Sequence, residues 1–462
     1  MDFTSLPFYL ALVPMAVAFY FVPARFRLLL LVIFSLGFYA LAQLSYVPLL
    51  LISTALIYFC GLKIASHEED HKKDIFLWLG VGTVLAMLIA FKALGAWHGF
   101  LLPLGISYYS FKLISYLVEV YWDDESVEKD FLYLLAYASF FPQIVSGPIQ
   151  RAYDFLPQLR EVVVRKADPE QIEHGFRLIL GGLMLKLLIG DRLSRFIDTI
   201  DKTPQDYNFS ILCLLTACYT LQLYADFAGY TNIALGVGKI FGIDGPKNFN
   251  APFAAPNIQQ MWQRWHMSLT SWLTDYLFTP LNMALRNLGK VGLSIAVAAN
   301  MILIGIWHGF FLDYLLYGAL HAFFILVTLF TKKWRDFLFG TGKILNAIRM
   351  TLGIIFTFIL MSFSQIFFYL GDWKTTLFHL KLLSGYTPRG TFSVADVNSM
   401  ILIQSTLCMI IAFYVGAGAP GFKPIQRKID SFFPNWLQYG FCLLLLSALS
   451  IDKAVKFIYG QF

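Results

Sequence analysis

Long apolar runs separated by short polar intervals constrain this chain more than any other feature. A helix needs about 20 mostly apolar residues to cross the hydrocarbon core of a bilayer, and runs of that order recur along all 462 residues. Hydrophobic residues make up 58% of the chain and charged residues 14%, which is too apolar for a soluble domain of this length. The runs lie near residues 5–22, 28–44, 46–64, 75–91, 100–121, 131–147, 174–190, 209–227, 291–308, 314–330, 350–370, 400–418 and 436–450.

The pattern inside these runs predicts helices rather than a barrel. Alternation of apolar and polar residues does not persist over the many segments that a barrel requires, so the backbone must satisfy its hydrogen bonds within helices. We therefore expect an all-α, polytopic transmembrane bundle of about 11–13 helices. The first run lacks a basic leader and a small-residue cleavage site, which favours a retained span over a signal peptide.

Basic residues in short loops predict the orientation. The N-terminus offers only Asp2, whereas the first loop, "PARFR", carries Arg25 and Arg27. Because positively charged loops stay in the cytoplasm, we expect the N-terminus to lie outside it. The net charge of +6 is ordinary for such a protein, and nothing indicates nucleic-acid binding.

One region departs from simple hydropathy. Between residues 224 and 278, charged side chains mix with apolar ones, and the turns "GIDGP" and "APFAAP" interrupt the stretch. Irregular backbone at membrane depth is tolerated only where it is buried in protein or lines a wet cavity. We expect re-entrant or interfacial helices to build a central pocket here.

His266 is the first candidate for chemistry in that region. No Gly or Pro lies between Met261 and Pro280, so this stretch can form one helix. On such a helix Arg264, Ser268, Ser271 and Asp275 share one stripe, and His266 lies about 200° from Arg264, on the side of the apolar residues. The imidazole would then face the protein interior, while the stripe would face water or headgroups.

His308 is the second candidate. A single helix over residues 291–330 would extend about 60 Å, twice the hydrocarbon thickness, so it must break, and Gly305, Gly309 and Asp313 mark the place. A histidine in an apolar helix is more often a hydrogen-bonded structural residue than a catalyst, and this alternative remains open for both candidates. Intramembrane ionisable groups are nevertheless costly enough to suggest function, and imidazole suits proton transfer at neutral pH.

Metal binding and disulfides are not expected. The five cysteines lie in apolar runs without CxxC or Cys/His spacing, which favours a role in core packing; they are Cys60, Cys213, Cys218, Cys408 and Cys442. Neither histidine has a carboxylate or cysteine at ligand spacing, so we predict that activity needs no metal.

Five blocks around these residues resemble the membrane-bound O-acyltransferase family. They are similar to the bacterial branch with the alginate, peptidoglycan and cellulose O-acetylation membrane proteins and the teichoic-acid D-alanine transfer protein. The order and spacing of the blocks match over roughly residues 5–380. The blocks are "LPLGISYYSFKLISYLVEVYW", "FFPQIVSGPIQR", "LQLYADFAGYTNIALGVGKIFGI", "NFNAPFAAPNIQQMWQRWHMSLTSWLTDYLFTPL" and "IGIWHG".

The resemblance implies a fold, a compartment and catalytic residues. The family's histidine in the WHG block falls on His308, and that in the RWH-x-S-L block falls on His266. It implies one domain over 1–462, with N-terminal helices in 1–130, a catalytic core in about 131–330 and C-terminal helices in 331–462, in a bacterial cytoplasmic membrane. Such proteins enclose a central tunnel that joins a cytoplasmic acyl donor to an extracytoplasmic acceptor.

Other residues of the matching blocks are candidates for the tunnel wall or for substrate contacts. The alternatives are an interfacial belt for the aromatic residues, a headgroup or capping contact for Arg264, and a buried structural acid for Asp226. The candidates are Trp262, Arg264, Trp265, Ser268, Asp275, Trp307, Tyr224, Asp226 and Asn232.

The resemblance also implies a reaction. A membrane O-acyltransferase would move an acyl group, expected to be acetyl, from a thioester donor to a hydroxyl of a cell-envelope polysaccharide or of a secreted partner. We expect acetyl-CoA as the donor, with an acyl-carrier-protein thioester as the alternative, and no permanently bound cofactor. The expected partner is a periplasmic or extracellular SGNH-hydrolase-like acetyltransferase or a polysaccharide assembly complex.

Three other functions remain open. D-alanyl transfer to teichoic acid uses the same machinery, a transporter or lipid flippase would show similar hydropathy, and a scaffold for a secreted transferase would need no catalysis. After "YLFTPL" the chain reads "LNMALRNLGK", whereas alginate-type members carry a Gly-Gly-Asn-Arg-like turn there. The identity of the acceptor therefore cannot be inferred from the alginate-type members.

Overall fold

The structure is a computed structural model that describes residues 3–339, 342–385, 399–419 and 429–450. Every regular element in these ranges is a helix. The α-helices are α1 Leu6–Phe21, α2 Ala24–Gln43, α3 Val47–Ser66, α4 Asp70–His98, α5 Ile106–Trp122, α6 Phe131–Ser139, α7 Phe141–Ile144, α8 Ala152–Val162, α9 Pro169–Leu183, α10 Asp191–Asp201, α11 Phe209–Ile240, α12 Ile258–Trp262, α13 Met267–Leu273, α14 Thr279–Ala284, α15 Lys290–His308, α16 Leu312–Phe330, α17 Lys332–Phe339, α18 Lys343–Leu370, α19 Trp373–Ser384, α20 Ser399–Gly416 and α21 Asn435–Leu449.

The all-α polytopic bundle expected from hydropathy is confirmed. Within the described ranges, six helical stretches are long and apolar enough to cross a membrane. Three shorter apolar helices accompany them: α1, the part of α20 from Ile401, and α21. The six stretches are Ala24–Ser66, Asp70–His98, Phe209–Ile240, Lys290–His308, Leu312–Phe330 and Lys343–Leu370.

The chain divides into two compact units. The first contains the residues up to Gly182 together with Tyr230–Lys247, and the second contains Leu183–Gly229 and the described residues from Asn248 onward. The expected subdivision at residues 130 and 330 stays a prediction. The predicted position of the N-terminus also stays a prediction, since Asp2 lies outside the described residues.

A buried guanidinium ties elements together in the first unit. Arg27 is 8% exposed and donates to the carbonyl oxygens of Tyr20, Val22 and Arg165 at 2.9, 3.2 and 2.5 Å. Two of these bonds satisfy carbonyls at the end of α1, which the helix itself leaves without partners, and the third reaches the segment after α8. Arg27 thus has a structural task besides the topological one that its sequence position suggests.

Small residues bring α15 and α16 close together in the second unit. A Cβ atom added to Gly305 would lie 2.1 Å from the carbonyl oxygen of Tyr314, and one added to Gly318 would lie 2.4 Å from that of Met301. Only glycine permits such an approach of two backbones. The break predicted near Gly309 is confirmed, because α15 ends at His308 and α16 begins at Leu312.

Core packing is the wrong interpretation for one cysteine. None of the five cysteines, all of which lie in the described ranges, forms a disulfide, and Cys60, Cys218 and Cys408 are buried as expected. Cys213 is exposed instead, because the apolar helix α11 also has an outward face.

Candidate active site

His266 lies at a break between two helices, not within one. The single helix expected over residues 261–280 is wrong: α12 ends at Trp262, α13 begins at Met267, and a π-helical segment covers Thr274–Phe278. His266 has φ 45° and ψ 50°, in the left-handed region, which costs a residue other than glycine about 1–2 kcal/mol. The expectation that its imidazole faces the interior is confirmed, since His266 is only 1% exposed.

Hydrogen bonds from the preceding loop hold this break in place. The carbonyl oxygen of Asn248 accepts from the backbone N–H of Met267 at 2.9 Å, and the N–H of Asn250 donates to Arg264 at 3.0 Å. The Asn248 side-chain oxygen also accepts from the Ser268 hydroxyl at 2.6 Å and from the Ser268 N–H at 3.3 Å. These tertiary bonds replace helical ones and stabilise the unusual conformation of His266.

Trp307 lies between the two candidate histidines. Its ring centroid is 6.2 Å from that of His266 and 4.5 Å from that of His308. Beyond them, Phe227 packs edge-on against His266 at 4.7 Å, and Phe368 packs edge-on against His308 at 4.7 Å. The two imidazoles therefore belong to one continuous row of five rings, drawn from four segments of the second unit.

The end of α15 fixes the position of His308. The residue is 6% exposed, and Tyr314 from the start of α16 lies 6.4 Å from it, ring to ring. A Cβ atom added to Gly309 would lie 2.5 Å from the Tyr314 ring. The turn between the helices thus needs glycine directly after the histidine and packs Tyr314 beside the imidazole.

An aromatic cluster that adjoins the row of rings, through Phe227 packed edge-on against Phe249 at 5.3 Å, contains two of the candidate tunnel residues. Tyr224 and Trp265 are 5% and 2% exposed. Tyr224 packs against Phe249 and Phe253 at 5.3 and 5.0 Å, and Trp265 lies 5.1 Å from Phe249. Their side chains therefore help to fix the loop that precedes α12.

Trp262 takes part in a buried hydrogen-bonded network. Its indole N–H donates to Nδ1 of His321 at 3.2 Å. Nε2 of His321 lies 2.9 Å from the hydroxyl of Ser364, which donates to the carbonyl oxygen of Met361 at 2.7 Å. His321, which the sequence analysis did not select, is thus a structural histidine that fixes the end of α12.

Asp226 belongs to a buried ionic cluster. The ammonium group of Lys186 lies 2.6 Å from a carboxylate oxygen of Asp226 and 2.6 Å from one of Asp191. All three side chains are at most 3% exposed. This arrangement fits the alternative in which Asp226 is a buried structural acid. The cluster joins the segment before α10 to α11 beside Phe227.

The polar stripe expected on residues 264–275 divides among three environments. Ser268 is buried against Asn248, as described above. Asp275 is exposed and lines a cavity of about 480 Å³ together with Ser271, Trp262 and residues of α15. Arg264 lines a second, larger cavity. The stripe fails as a prediction because the break at His266 rotates α13 relative to α12.

Asn232 stands apart from these residues. It lies in the part of α11 that belongs to the first unit, so the second unit assembles the other candidates without it. No cluster of three or more His, Cys, Asp or Glu side chains able to hold a metal occurs in the described ranges. The expectation that no metal is needed stays a prediction.

Sequence reasoning missed Asn248, Phe227 and Phe368, which support the histidines, and Lys186, which pairs with Asp226 next to Phe227. Lys186 alone carried a usable signal, as the single charge in the apolar run "LILGGLMLKLLIG", because an isolated intramembrane charge normally has a partner. Asparagine in a loop and phenylalanine in an apolar helix are too common to be distinguished without the tertiary structure.

Comparisons with known proteins identify the family of this chain. The model of the membrane-bound O-acyltransferase family matches residues 122–371. The chain is 27% identical to the probable alginate O-acetylase AlgI of Azotobacter vinelandii, over 93% of this chain and 86% of that one. It is 29% identical to the peptidoglycan O-acetyltransferase of Helicobacter pylori, over 78% and 74% of the two chains.

A third relative broadens the range of chemistry. The chain is 33% identical to the teichoic acid D-alanyltransferase of Bacillus subtilis, over 51% of this chain and 61% of that one. The family match covers both histidines and every element of the row of rings. From the apolar helices, the paired buried histidines and these comparisons together, it follows that the chain belongs to the membrane-bound O-acyltransferase family and is a bacterial multi-pass membrane O-acyltransferase.

Proposed function

We propose that this protein moves an acyl group, acetyl by our expectation, from a cytoplasmic thioester to a hydroxyl on the outer side of the bacterial cytoplasmic membrane. The observation that carries the proposal is the pair of buried imidazoles on either side of Trp307. Both fall on the histidines that the resemblance selects. Acetyl-CoA is the donor that we propose, and relatives named as O-acetylases support acetyl as the acyl group.

His308 acts as the general base in the proposed reaction. The donor carbon is already activated as a thioester, whereas the acceptor hydroxyl is a poor nucleophile. His308 takes the hydroxyl proton as the oxygen attacks the carbonyl carbon, and a tetrahedral oxyanion forms. When the carbon–sulfur bond breaks, the departing thiolate receives that proton, so the enzyme returns to its starting state. Such catalysis contributes about 10²- to 10⁴-fold.

His266 orients the acceptor or donates a hydrogen bond to the oxyanion. A fixed donor at that place is often the largest contribution to acyl transfer. Such a donor stabilises the oxyanion well only if its position is rigid. The Asn248 hydrogen bonds and the packing of Phe227 and Trp307 against the imidazole hold His266 in place. The indole N–H of Trp307 is a further candidate donor at the same position.

The proposed acceptor and partner rest on the same family resemblance and relatives. We propose a hydroxyl of a cell-envelope polysaccharide, reached directly or through an extracytoplasmic SGNH-hydrolase-like acetyltransferase or a polysaccharide assembly complex. D-alanyl transfer is the second candidate, favoured by the 33% identity to the Bacillus subtilis D-alanyltransferase. In that case the donor would be a carrier-protein thioester.

The test measures acyl release from thioester donors by purified protein in liposomes. We expect His308→Gln to lower turnover by about 10²- to 10⁴-fold while the folded fraction and thermal midpoint stay near those of the wild type. His266→Gln should also impair transfer, and more mildly if it only orients the acceptor. Acetyl-CoA and a D-alanyl carrier thioester are compared in parallel, so that the donor is identified.

His379→Gln is the matched control. This imidazole is 6% exposed, the same as His308, but it lies on α19 beside Asp201, 3.4 Å from that carboxylate. Its replacement should leave turnover within a few-fold of the wild type. A folded His308→Gln protein with near-normal acyl release would overturn the proposed mechanism and favour the scaffold or transporter alternatives.

A further inference from the structure

A cavity of about 710 Å³ lies in the second unit. Helices α16 and α18 supply most of its wall, and the segment from Pro256 to Arg264 completes it together with Thr331 and Arg335 at the start of α17. Its volume is in the range of sites that hold an organic ligand. Neither His266 nor His308 lines it, so the cavity is distinct from the row of rings around Trp307.

One side of this cavity is apolar and open. Phe323 and Val327 on α16 are 59% and 42% exposed, and Leu352 and Phe356 on α18 are 52% and 61% exposed. Side chains enclosed by the fold would not reach such values. Because both helices are apolar enough to span a membrane, the medium that meets this wall is the hydrocarbon of the bilayer.

Guanidinium groups lie at the other side. Arg335 donates to Thr331 and to the carbonyl oxygen of Thr328 at 2.9 and 2.7 Å, and Arg264 donates to a carbonyl oxygen at 3.4 Å. Neither has a carboxylate within ion-pair distance among the residues that the structure describes. A guanidinium has five N–H donors, so these bonds leave several on each group for a ligand. Arg349, paired with Asp336 at 2.8 Å, adds a third positive charge to the lining.

The segment around the cavity has the basic and aromatic composition that is typical of protein segments at a membrane surface. Residues 332–349 contain five basic side chains and one acidic side chain, which gives a net charge of +4. Trp334 and Phe337 on α17 are nevertheless 72% and 84% exposed. A short helix that exposes both basic and aromatic groups lies at the level of lipid headgroups, where basic clusters attract anionic lipids.

We propose that this cavity is a binding site for an anionic membrane lipid. The phosphate of the headgroup would accept hydrogen bonds from Arg264 and Arg335, which form charge-assisted and often bidentate contacts with phosphate. One acyl chain would lie along the wall formed by Phe323 and Phe356. A water-soluble phosphate compound shares the first contact and lacks the second, and the wall open to the bilayer therefore favours the lipid.

Lipid binding to purified protein tests the proposal directly. Dioleoylphosphatidylglycerol is titrated into protein in neutral detergent, and the bound fraction is measured by native mass spectrometry, with phosphatidylcholine as the zwitterionic comparison. We expect saturable binding of one phosphatidylglycerol, which Arg264→Gln/Arg335→Gln weakens about tenfold or more, the scale of two lost charge-assisted hydrogen bonds. The measurement needs no catalysis, so its outcome is separate from that of the proposed function.

Lys332→Gln/Lys333→Gln is the matched control, because it removes the same two charges from exposed positions next to the cavity. This pair should bind phosphatidylglycerol within about twofold of the wild type, since an exposed contact contributes little. Should the arginine pair fail to fold, Arg335→Lys replaces it: the charge remains and the bidentate geometry is lost, so binding should weaken severalfold.

Three results would overturn the proposal. One is an equal loss in the lysine control, which would indicate general surface attraction. Another is unchanged binding in the arginine variants. The third is displacement of the lipid by millimolar coenzyme A or inorganic phosphate, which would assign the cavity to a soluble phosphate compound.

Discussion

Replacing His321 tests whether a buried histidine of this protein is structural, and the structure determines its protonation state. The indole N–H of Trp262 can only donate, so Nδ1 of His321 must accept. The imidazole is therefore neutral with its proton on Nε2, which donates to the hydroxyl of Ser364. That hydroxyl in turn donates a hydrogen bond to the carbonyl oxygen of Met361.

His321→Ala should be costly to stability. The side chain is 0% exposed, and the change removes two hydrogen bonds worth about 0.6 kcal/mol each inside a membrane protein. Truncating a fully buried ring adds about 2–3 kcal/mol through lost packing and the cavity left behind. We expect a total of roughly 3–4 kcal/mol. His321→Asn should cost about half as much. Its side-chain oxygen can still accept from the indole N–H of Trp262, so that buried donor keeps an acceptor and its desolvation penalty is avoided.

Equilibrium unfolding in mixed detergent micelles measures both free energies, and acyl release per folded molecule is measured beside them. The folded fraction of His321→Asn should keep turnover within a few-fold of the wild type, in contrast to His308→Gln. Equal destabilisation by Ala and Asn would contradict the deduced donor and acceptor roles. Loss of turnover in a fully stable His321→Asn protein would show that this imidazole serves the chemistry.

Other positions carry separate predictions. Asn248→Ala removes the side-chain oxygen that accepts from the buried hydroxyl and N–H of Ser268 and should cost about 2–4 kcal/mol of unfolding free energy with a loss of turnover. An effect on neither would show that the loop does not hold His266. Lys186→Met leaves the buried carboxylates of Asp191 and Asp226 without their cation and should cost about 3–5 kcal/mol of unfolding free energy. Asp226→Asn leaves the Lys186–Asp191 ion pair, which has no net charge, and should cost clearly less in the same assay. Equal costs would contradict this assignment of charges. Activity should survive chelation, and loss that zinc restores would refute the prediction of a metal-free reaction. Cysteine labelling at Asp2 from the cytoplasmic side alone would contradict the predicted orientation.

The sequence determined the parts of this protein that follow from local chemistry. Apolar runs of spanning length specify helices because lipid offers no partner for backbone groups. The break after His308 was predictable, since one helix over residues 291–330 would be too long and glycine stands where α15 ends. The blocks around the two histidines were sufficient to indicate the family, because they depend on residue type and spacing alone.

The tertiary structure alone decided how the site is assembled. The stretch after Met261 contains no helix breaker before Pro280, yet the helix is interrupted at His266. The reason is that loop residues Asn248 and Asn250 form hydrogen bonds with the backbone of Met267 and Arg264, and these bonds compete with helical ones. Lys186 forms an ion pair with Asp226, which lies 40 residues further along the chain. Such contacts join groups that are distant along the chain, and helical periodicity constrains only neighbours within a few residues. For that reason the histidines could be chosen from the sequence, but the row of rings that joins them could not.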